Sequence, residues 1–263
     1  MDSKMTNISP LRYPGGKTRA CGQLDTILNE QFNITSFNNI ISPFFGGGSF
    51  EFHMQNKYKF KIIANDKFTP LYNFWNTCKY YRDELCEELY KYIDNIDKTN
   101  FTNFRERIMT EDDNLTQSVM YFIINRCSFS GATLSGGFSL EASEKRFTKS
   151  SIDRIKQLDL DRFEIYNLDF ENFIDGNDDG LLFLDPPYYL GKDSKLYGNN
   201  GDMHESFDHN RLYKCLSAKK NWLMTYNNCE YIKNLYHDFK IIETSWSYGM
   251  NKSKKSSEIV IIG

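Results

Sequence analysis

The chain has 263 residues, 40% hydrophobic and 25% charged, with a formal net charge of −3. That length admits one large α/β domain or a core domain with a sizeable insertion, and the slight acidity means that any nucleic-acid surface must be a local basic patch. Six cysteines (Cys21, Cys78, Cys86, Cys127, Cys215 and Cys229) are scattered without Cys-x-x-Cys spacing or a histidine at ligand spacing, which argues against a zinc site and a disulfide framework and for a reducing compartment. No signal-peptide pattern and no apolar run near the roughly 20 residues of a membrane span is present. A soluble, intracellular protein without a metal or a membrane partner is expected.

Residues 1–10 are polar and lead into Leu11-Arg12-Tyr13-Pro14-Gly15-Gly16-Lys17-Thr18. The Gly-Lys-Thr triplet invites a phosphate-loop reading, but Leu11 stands where that loop needs its first glycine and no strand precedes it. A tight Gly-Gly turn bringing Tyr13 and Lys17 up to an anionic ligand fits better, with a helix from Lys17 to about Asn29. An apolar strand, Asn38 to Phe45, runs into Phe44-Phe45-Gly46-Gly47-Gly48-Ser49 and a helix from Phe50 to Asn56. Strand, glycine loop, helix lets backbone approach a nucleotide-like ligand without Cβ interference. A second strand, Phe60 to Ala64, ends at Asp66, twenty residues beyond Gly46, the separation at which an acid can accept both ribose hydroxyls. The competing reading is a glycine-rich turn beside a solvent-facing aspartate.

From Thr69 to about Thr148 helical patterns (Leu71 to Tyr92, Leu115 to Ile124) replace strands, and Asn125 to Ser139 is rich in glycine and hydroxyls, as befits a flexible reader of a polymer. Lys145, Arg146, Lys149, Arg154 and Lys156 follow, interleaved with acids; such a charge run is also the mark of a plain solvated face. Strands resume at Phe163 to Leu168, ending in Asp169-Phe170. Leu181 to Leu184 is too short for a helix and stops at Asp185-Pro186-Pro187-Tyr188, the way a buried parallel strand leaves a sheet. Two prolines fix φ twice and remove two donors, so the Asp185 carboxylate and the neighbouring carbonyls become acceptors in a stiff loop with a flat ring, Tyr188, beside them. The set suits a neutral planar group carrying an NH2. A polar loop, Lys192 to Asp208, is long enough for a flap. Strands at Trp222 to Tyr226, Phe239 to Ser245 and Glu258 to Ile262 close the chain, with helices between the first two and a hairpin across the basic Asn251 to Lys255 stretch.

In this order, YPGGK, PFFGGGSF, Asp66, NLDF and DPPY resemble the Dam-type N6-adenine DNA methyltransferases from about Arg12 to the final strand. The resemblance implies a Rossmann-like seven-stranded methyltransferase sheet (residues 1–68 and 160–263) with an inserted, mainly helical target-recognition domain (residues 69–159), S-adenosylmethionine as cofactor and double-stranded DNA as partner. It implies cofactor contacts at Tyr13, Lys17, Phe45, Gly46, Gly48, Asp66, Asp169, Phe170 and Asp185, with Lys17 facing the carboxylate of the methionine end. Asp185, Pro186, Pro187 and Tyr188 would hold the target adenine, and Arg12, Asn125, Arg126, Phe129, Ser130 and Leu134 would face DNA. Two positions depart from the family. Ser42 stands where an acid usually precedes Pro-Phe, and Leu134 falls where Dam enzymes carry a guanine-reading arginine; leucine cannot make that contact, so GATC is not implied. Other readings remain open: N4-cytosine methylation, for which serine usually replaces Asp185; N6-adenine methylation of RNA; and a catalytically weak DNA-binding homologue, for which Ser42 is the hint. Oligomeric state is not readable.

Overall fold

A computed structural model describes residues 7–13, 15–129, 134–189, 207–246 and 257–263. Ser130, residues 192–206 of the expected flap and the basic 251–255 stretch lie outside the described residues. The framework is a seven-stranded sheet of order β3-β2-β1-β4-β5-β7-β6: β1 (Asn39–Ser42), β2 (Lys61–Asn65), β3 (Phe163–Tyr166), β4 (Leu181–Leu184), β5 (Trp222–Asn227), β6 (Lys240–Thr244) and β7 (Glu258–Ile262). The first five are parallel and β7 slots antiparallel between β5 and β6. This is the Rossmann-like methyltransferase arrangement that the motifs imply.

The short apolar runs become central strands because both their faces are covered. Successive side chains alternate across a strand: Ile40, Ile62, Leu181, Phe183, Leu223 and Val260 enter one hydrophobic layer, while Ile41, Ile63, Leu182, Leu184, Met224 and Ile261 enter the other. Helices α1 (Cys21–Gln31), α2 (Ser49–Tyr58) and α3 (Thr69–Tyr80) cover the first face. Helices α9 (Phe170–Asp175), α10 (His209–Ser217) and α11 (Glu230–Leu235) cover the second. Helix α1 starts at Cys21, later than the expected Lys17, because Lys17 to Ala20 form a separate turn, closed by the Ala20 N–H on the Lys17 carbonyl at 2.8 Å.

Between β2 and β3 the described chain is helical: α3, α4 (Arg82–Tyr90), α5 (Lys98–Arg107), α6 (Asn114–Cys127), α7 (Leu140–Arg146) and α8 (Lys149–Lys156). The pattern read as one helix from Leu71 to Tyr92 is broken in two at Tyr81. These helices share the core of the sheet: Leu85, Phe101, Ile123 and Ile152 belong to the same cluster as Ile40 and Phe183. Helix α6 is its axle, docked on α3 through Phe74 stacked on Phe122 at 5.7 Å, an Asn73 amide donating to Gln117 at 2.6 Å and a Thr77–Ser118 hydroxyl pair at 2.9 Å. Among the described residues no helix is long and apolar enough to cross a membrane.

Candidate active site

Parallel strands deliver their carboxyl ends to one edge, where open α/β sheets bind ligands. At that edge β1 runs into the glycine loop, β2 into Asp66, β3 towards Asp169, β4 into Asp185 and β5 ends at Asn227. Asn65, fully buried, laces three of these ends together: its amide donates to the Pro43 and Leu168 carbonyls at 3.2 and 3.1 Å and accepts from the Leu168 N–H at 2.8 Å.

The Asp185 carboxylate is held from two sides. Lys17 Nζ donates to both its oxygens at 2.7 Å, and Thr225 Oγ1 on β5 donates to Oδ1 at 2.6 Å. The side chain of Lys17 is 3% exposed and that of Asp185 24%, so the pair stands at the inner wall of the edge with the carboxylate turned partly outward. Lys17, expected to meet a ligand's carboxylate, directs two of its three donors to the acid of the Asp-Pro-Pro-Tyr turn and the third to the Gly15 carbonyl at 3.0 Å. Pro186 is buried, while Pro187 and Tyr188 are partly exposed. The Tyr188 ring stacks on Tyr226 with centroids 5.7 Å apart, and Lys17 Nζ lies 5.1 Å from its centroid. Behind it the Tyr226 hydroxyl meets His209 Nδ1 at 2.6 Å.

The glycine loop is tightly determined. Gly46 and Gly48 adopt φ of 50° and 67°, a region costly for residues with a Cβ. A Cβ on Gly46 or Gly47 would come within 2.9 or 2.7 Å of Tyr13, so the first use of these glycines is to seat Tyr13 across the loop. The Gly46 N–H donates to Asp66 Oδ2 at 2.9 Å and its carbonyl accepts from Trp75 Nε1 at 2.9 Å. The side chain of Phe45 is buried against Trp75, Phe163 and Phe52, so its backbone is the part of it that borders the edge. Asp66 Oδ1 accepts from the Phe68 N–H at 2.9 Å, and burial pushes its pKa up to about 6 despite those two donors. Ser42, the departure at the end of β1, donates to Oε1 of Glu51 at 2.6 Å.

Asp169 caps α9, accepting from the Glu171 N–H at 3.2 Å. Burial pulls its pKa up, yet the bonds from Lys67, at 2.9 Å, and Arg211 hold it at about 2. Phe170 is almost fully buried between Phe44 and Phe207, and the Arg211 guanidinium lies 4.2 Å from its centroid, covering the ring.

The residues expected to face DNA divide. Phe129 stands 71% exposed at the end of α6. Arg12, Arg126, Arg146 and Arg154 form a local basic group: burial first, then the neighbouring guanidinium groups, lower Arg126 to about 10, and burial with Arg146 lowers Arg12. Asn125 is a correction: fully buried, it accepts from the Arg12 N–H at 3.0 Å and donates to the Arg12 carbonyl at 2.7 Å, clamping that backbone instead of facing outward. Arg126 is committed to the Arg146 and Pro10 carbonyls at 2.8 and 3.3 Å, and Leu134 packs against the core.

Residues 13–250 match the D12 class N6 adenine-specific DNA methyltransferase family. The chain belongs to that family. It is also similar to Type II methyltransferase M.MjaIII of Methanocaldococcus jannaschii, 25% identical over 258 residues that cover 88% of each chain. As an adenine-specific DNA methyltransferase it has DNA as its substrate, which sets aside cytosine and RNA; the family generally uses S-adenosylmethionine. Sequence reasoning missed Thr225, Trp75, Arg211 and Glu51. Thr225 had a signal, since the strand after Asp185 must expose residues at the same edge; the others act from helices, whose pairing with the edge is not written locally.

Proposed function

We propose that the chain transfers the methyl group of S-adenosylmethionine to N6 of an adenine turned out of a DNA duplex. The observation that carries this reading is the Asp185 carboxylate, fixed at the β4 rim by Lys17 and Thr225, beside Tyr188 and in line with the glycine loop of β1. An adenine amino nitrogen is a poor nucleophile because its lone pair is delocalised into the ring. Asp185 and the Pro186 carbonyl accept its two hydrogens, favouring a tetrahedral nitrogen whose lone pair points at the methyl carbon for direct in-line transfer; the nitrogen–methyl bond would form as the sulfur–methyl bond breaks and the thioether leaves, and the methylated nitrogen would release one proton through Asp185 to solvent. Pro186 and Pro187 hold those acceptors still. Tyr188, backed by Tyr226, offers the face that offsets the stacking lost on eversion.

The residues present suit the cofactor. Lys17, yielding one of its three present bonds to Asp185 and Gly15, meets the carboxylate of its methionine end, Tyr13 and the backbone of Phe45, Gly46 and Gly48 wall the middle, and the half-buried Asp66 takes the ribose hydroxyls. Asp169 and Phe170 take the adenine end, where the Arg211 guanidinium, a planar group stacked on Phe170, occupies the kind of face a planar base requires. When bound, the cofactor supplies the sulfonium methyl. Residues 69–159 serve target recognition, with the Arg12, Arg126, Arg146 and Arg154 group meeting phosphates and Phe129 meeting the opened duplex. Leu134 anchors its part of that segment by packing against the core. The M.MjaIII similarity supports a type II restriction-modification setting.

Incubating the protein with duplex DNA and methyl-labelled S-adenosylmethionine, then hydrolysing to nucleosides, tests the reading. Label in N6-methyl-2′-deoxyadenosine is expected; label in a methylated deoxycytidine, or none, defeats it. Sequencing the modified positions of a methylated plasmid identifies the target.

A further inference from the structure

Glu51 is a buried carboxylate that the mechanism above does not use. It lies in the first turn of α2, immediately after the glycine loop, and is 2% exposed. Its one side-chain donor among the described residues is the Ser42 hydroxyl, to Oε1 at 2.6 Å, and no described Lys, Arg or His pairs with it. A buried carboxylate normally has a cation or several donors. Burial pushes this one up to about 7, against the pull of Ser42 and of a backbone hydrogen bond, and the charged groups that bear on it are Asp185 and Lys17. The first turn of α2 also packs on the turn that carries Lys17, Thr18 Oγ1 donating to Ser49 Oγ at 3.1 Å and Cys21 Sγ to the Ser49 carbonyl at 3.5 Å, so Glu51 belongs to the Lys17–Asp185 end of the edge.

We propose that Glu51, oriented by Ser42, receives the α-ammonium group of the methyl donor's methionine end. The inference rests on the function proposed above and deepens it. An amino-acid head carries a carboxylate and an ammonium on one carbon, so a pocket that gives Lys17 to the former needs an anion close by for the latter. Asp185, already bonded to Lys17 and Thr225, is reserved for the target amine, and Asp66 and Asp169 lie beyond the other two strand ends. Among the described residues Glu51 is the remaining acid at the Lys17 end of the edge, and an ammonium gives it a paired cation. Ser42, at the end of β1, thereby becomes the support of a carboxylate delivered from α2.

Calorimetric titration with S-adenosylhomocysteine and with its analogue lacking the α-amino group tests this. Glu51→Gln is expected to weaken S-adenosylhomocysteine binding by about tenfold or more, the scale of a charge-assisted hydrogen bond, and to leave the deaminated analogue unchanged. Ser42→Asp in the Glu51→Gln background is expected to restore part of the loss, again only for the ligand bearing the amine. Equal loss for both ligands, or for neither, overturns the assignment. Should Glu51→Gln fail to fold, Ser42→Ala keeps the carboxylate and is expected to give a smaller loss with the same dependence on the amine; an amine-independent loss overturns the proposal. Failure of the wild-type protein to bind either ligand overturns the pocket itself, a result separate from a misassigned Glu51.

Discussion

On the proposed mechanism Asp185 carries two duties, one toward the substrate and one toward Lys17, and substitutions separate them. Asp185→Asn keeps an acceptor for Thr225 but weakens the grip on the reacting amine, so turnover is expected to fall by about a hundredfold or more at near-normal cofactor affinity; rapid-quench methylation assays and titrations check both. Asp185→Ala also strands the Lys17 ammonium, 3% exposed, and a loss of about 2 kcal/mol in urea unfolding is expected, reduced from the fully buried case because Asp185 itself is partly solvated. Glu51 makes stability depend on pH. Its ordinary pKa of 4.5 rises to about 7 on folding, so in that window the folded chain keeps a proton that the unfolded chain has released. Stability from this group is full below pH 4.5 and is lost as pH rises through about 7; Asp66 acts with the same sign between 3.8 and about 6. Glu51→Gln cannot release the proton, and is expected to be more stable than the wild type at pH 8 by about 1 to 3 kcal/mol and to match it near pH 4, as thermal melts at both pH values would show.

At the scale of elements, the glycine loop couples the cofactor edge to the helical span. Gly48 combines a φ of 67° with a Cβ position 2.6 Å from the Phe45 ring, so Gly48→Ala is expected to cost about 1 to 3 kcal/mol, measured by chemical denaturation. Trp75 on α3 ties the loop down through the Gly46 carbonyl. Trp75→Phe keeps most of the packing with Phe45 and Phe52 and removes only that bond, leaving the carbonyl without it at a cost of about 1 kcal/mol; weaker cofactor binding with unchanged DNA affinity is the expected pattern in paired titrations. The strands were legible because buried runs such as Leu181–Leu184 and Glu258–Ile262 are short, apolar and bounded by turn residues. The start of α1 was not, since the charge pattern after Lys17 looks helical, whereas the residue is drawn to Asp185 by a contact 168 positions away.

Over the whole molecule, a net charge of −3 means that the proposed DNA contact rests on a local basic group, the arginines at the junction of the N-terminal segment, α6, α7 and α8. Arg154 is exposed there and adds to the field at Arg126. Arg154→Ala is expected to lower the slope of log affinity against log salt by about 1, equally for target and non-target duplexes and without changing stability; fluorescence anisotropy across a salt series measures it. One hydrophobic core runs from the sheet into the helical span, joining this arginine face to the proposed methyl-transfer edge.

Local patterning determined which runs become strands, where the glycine turn and the stiff Asp-Pro-Pro-Tyr turn fall, and hence the family, because backbone geometry at glycine and proline and the alternation of buried side chains are written in neighbouring residues. Only the tertiary structure decided which acid serves which neighbour. Ser42 gaining a carboxylate from Glu51, Asn125 turning inward to hold Arg12, and Phe45 facing the core all depend on where a helix lands on the sheet. That placement comes from packing distant surfaces to exclude water, information spread over the whole chain.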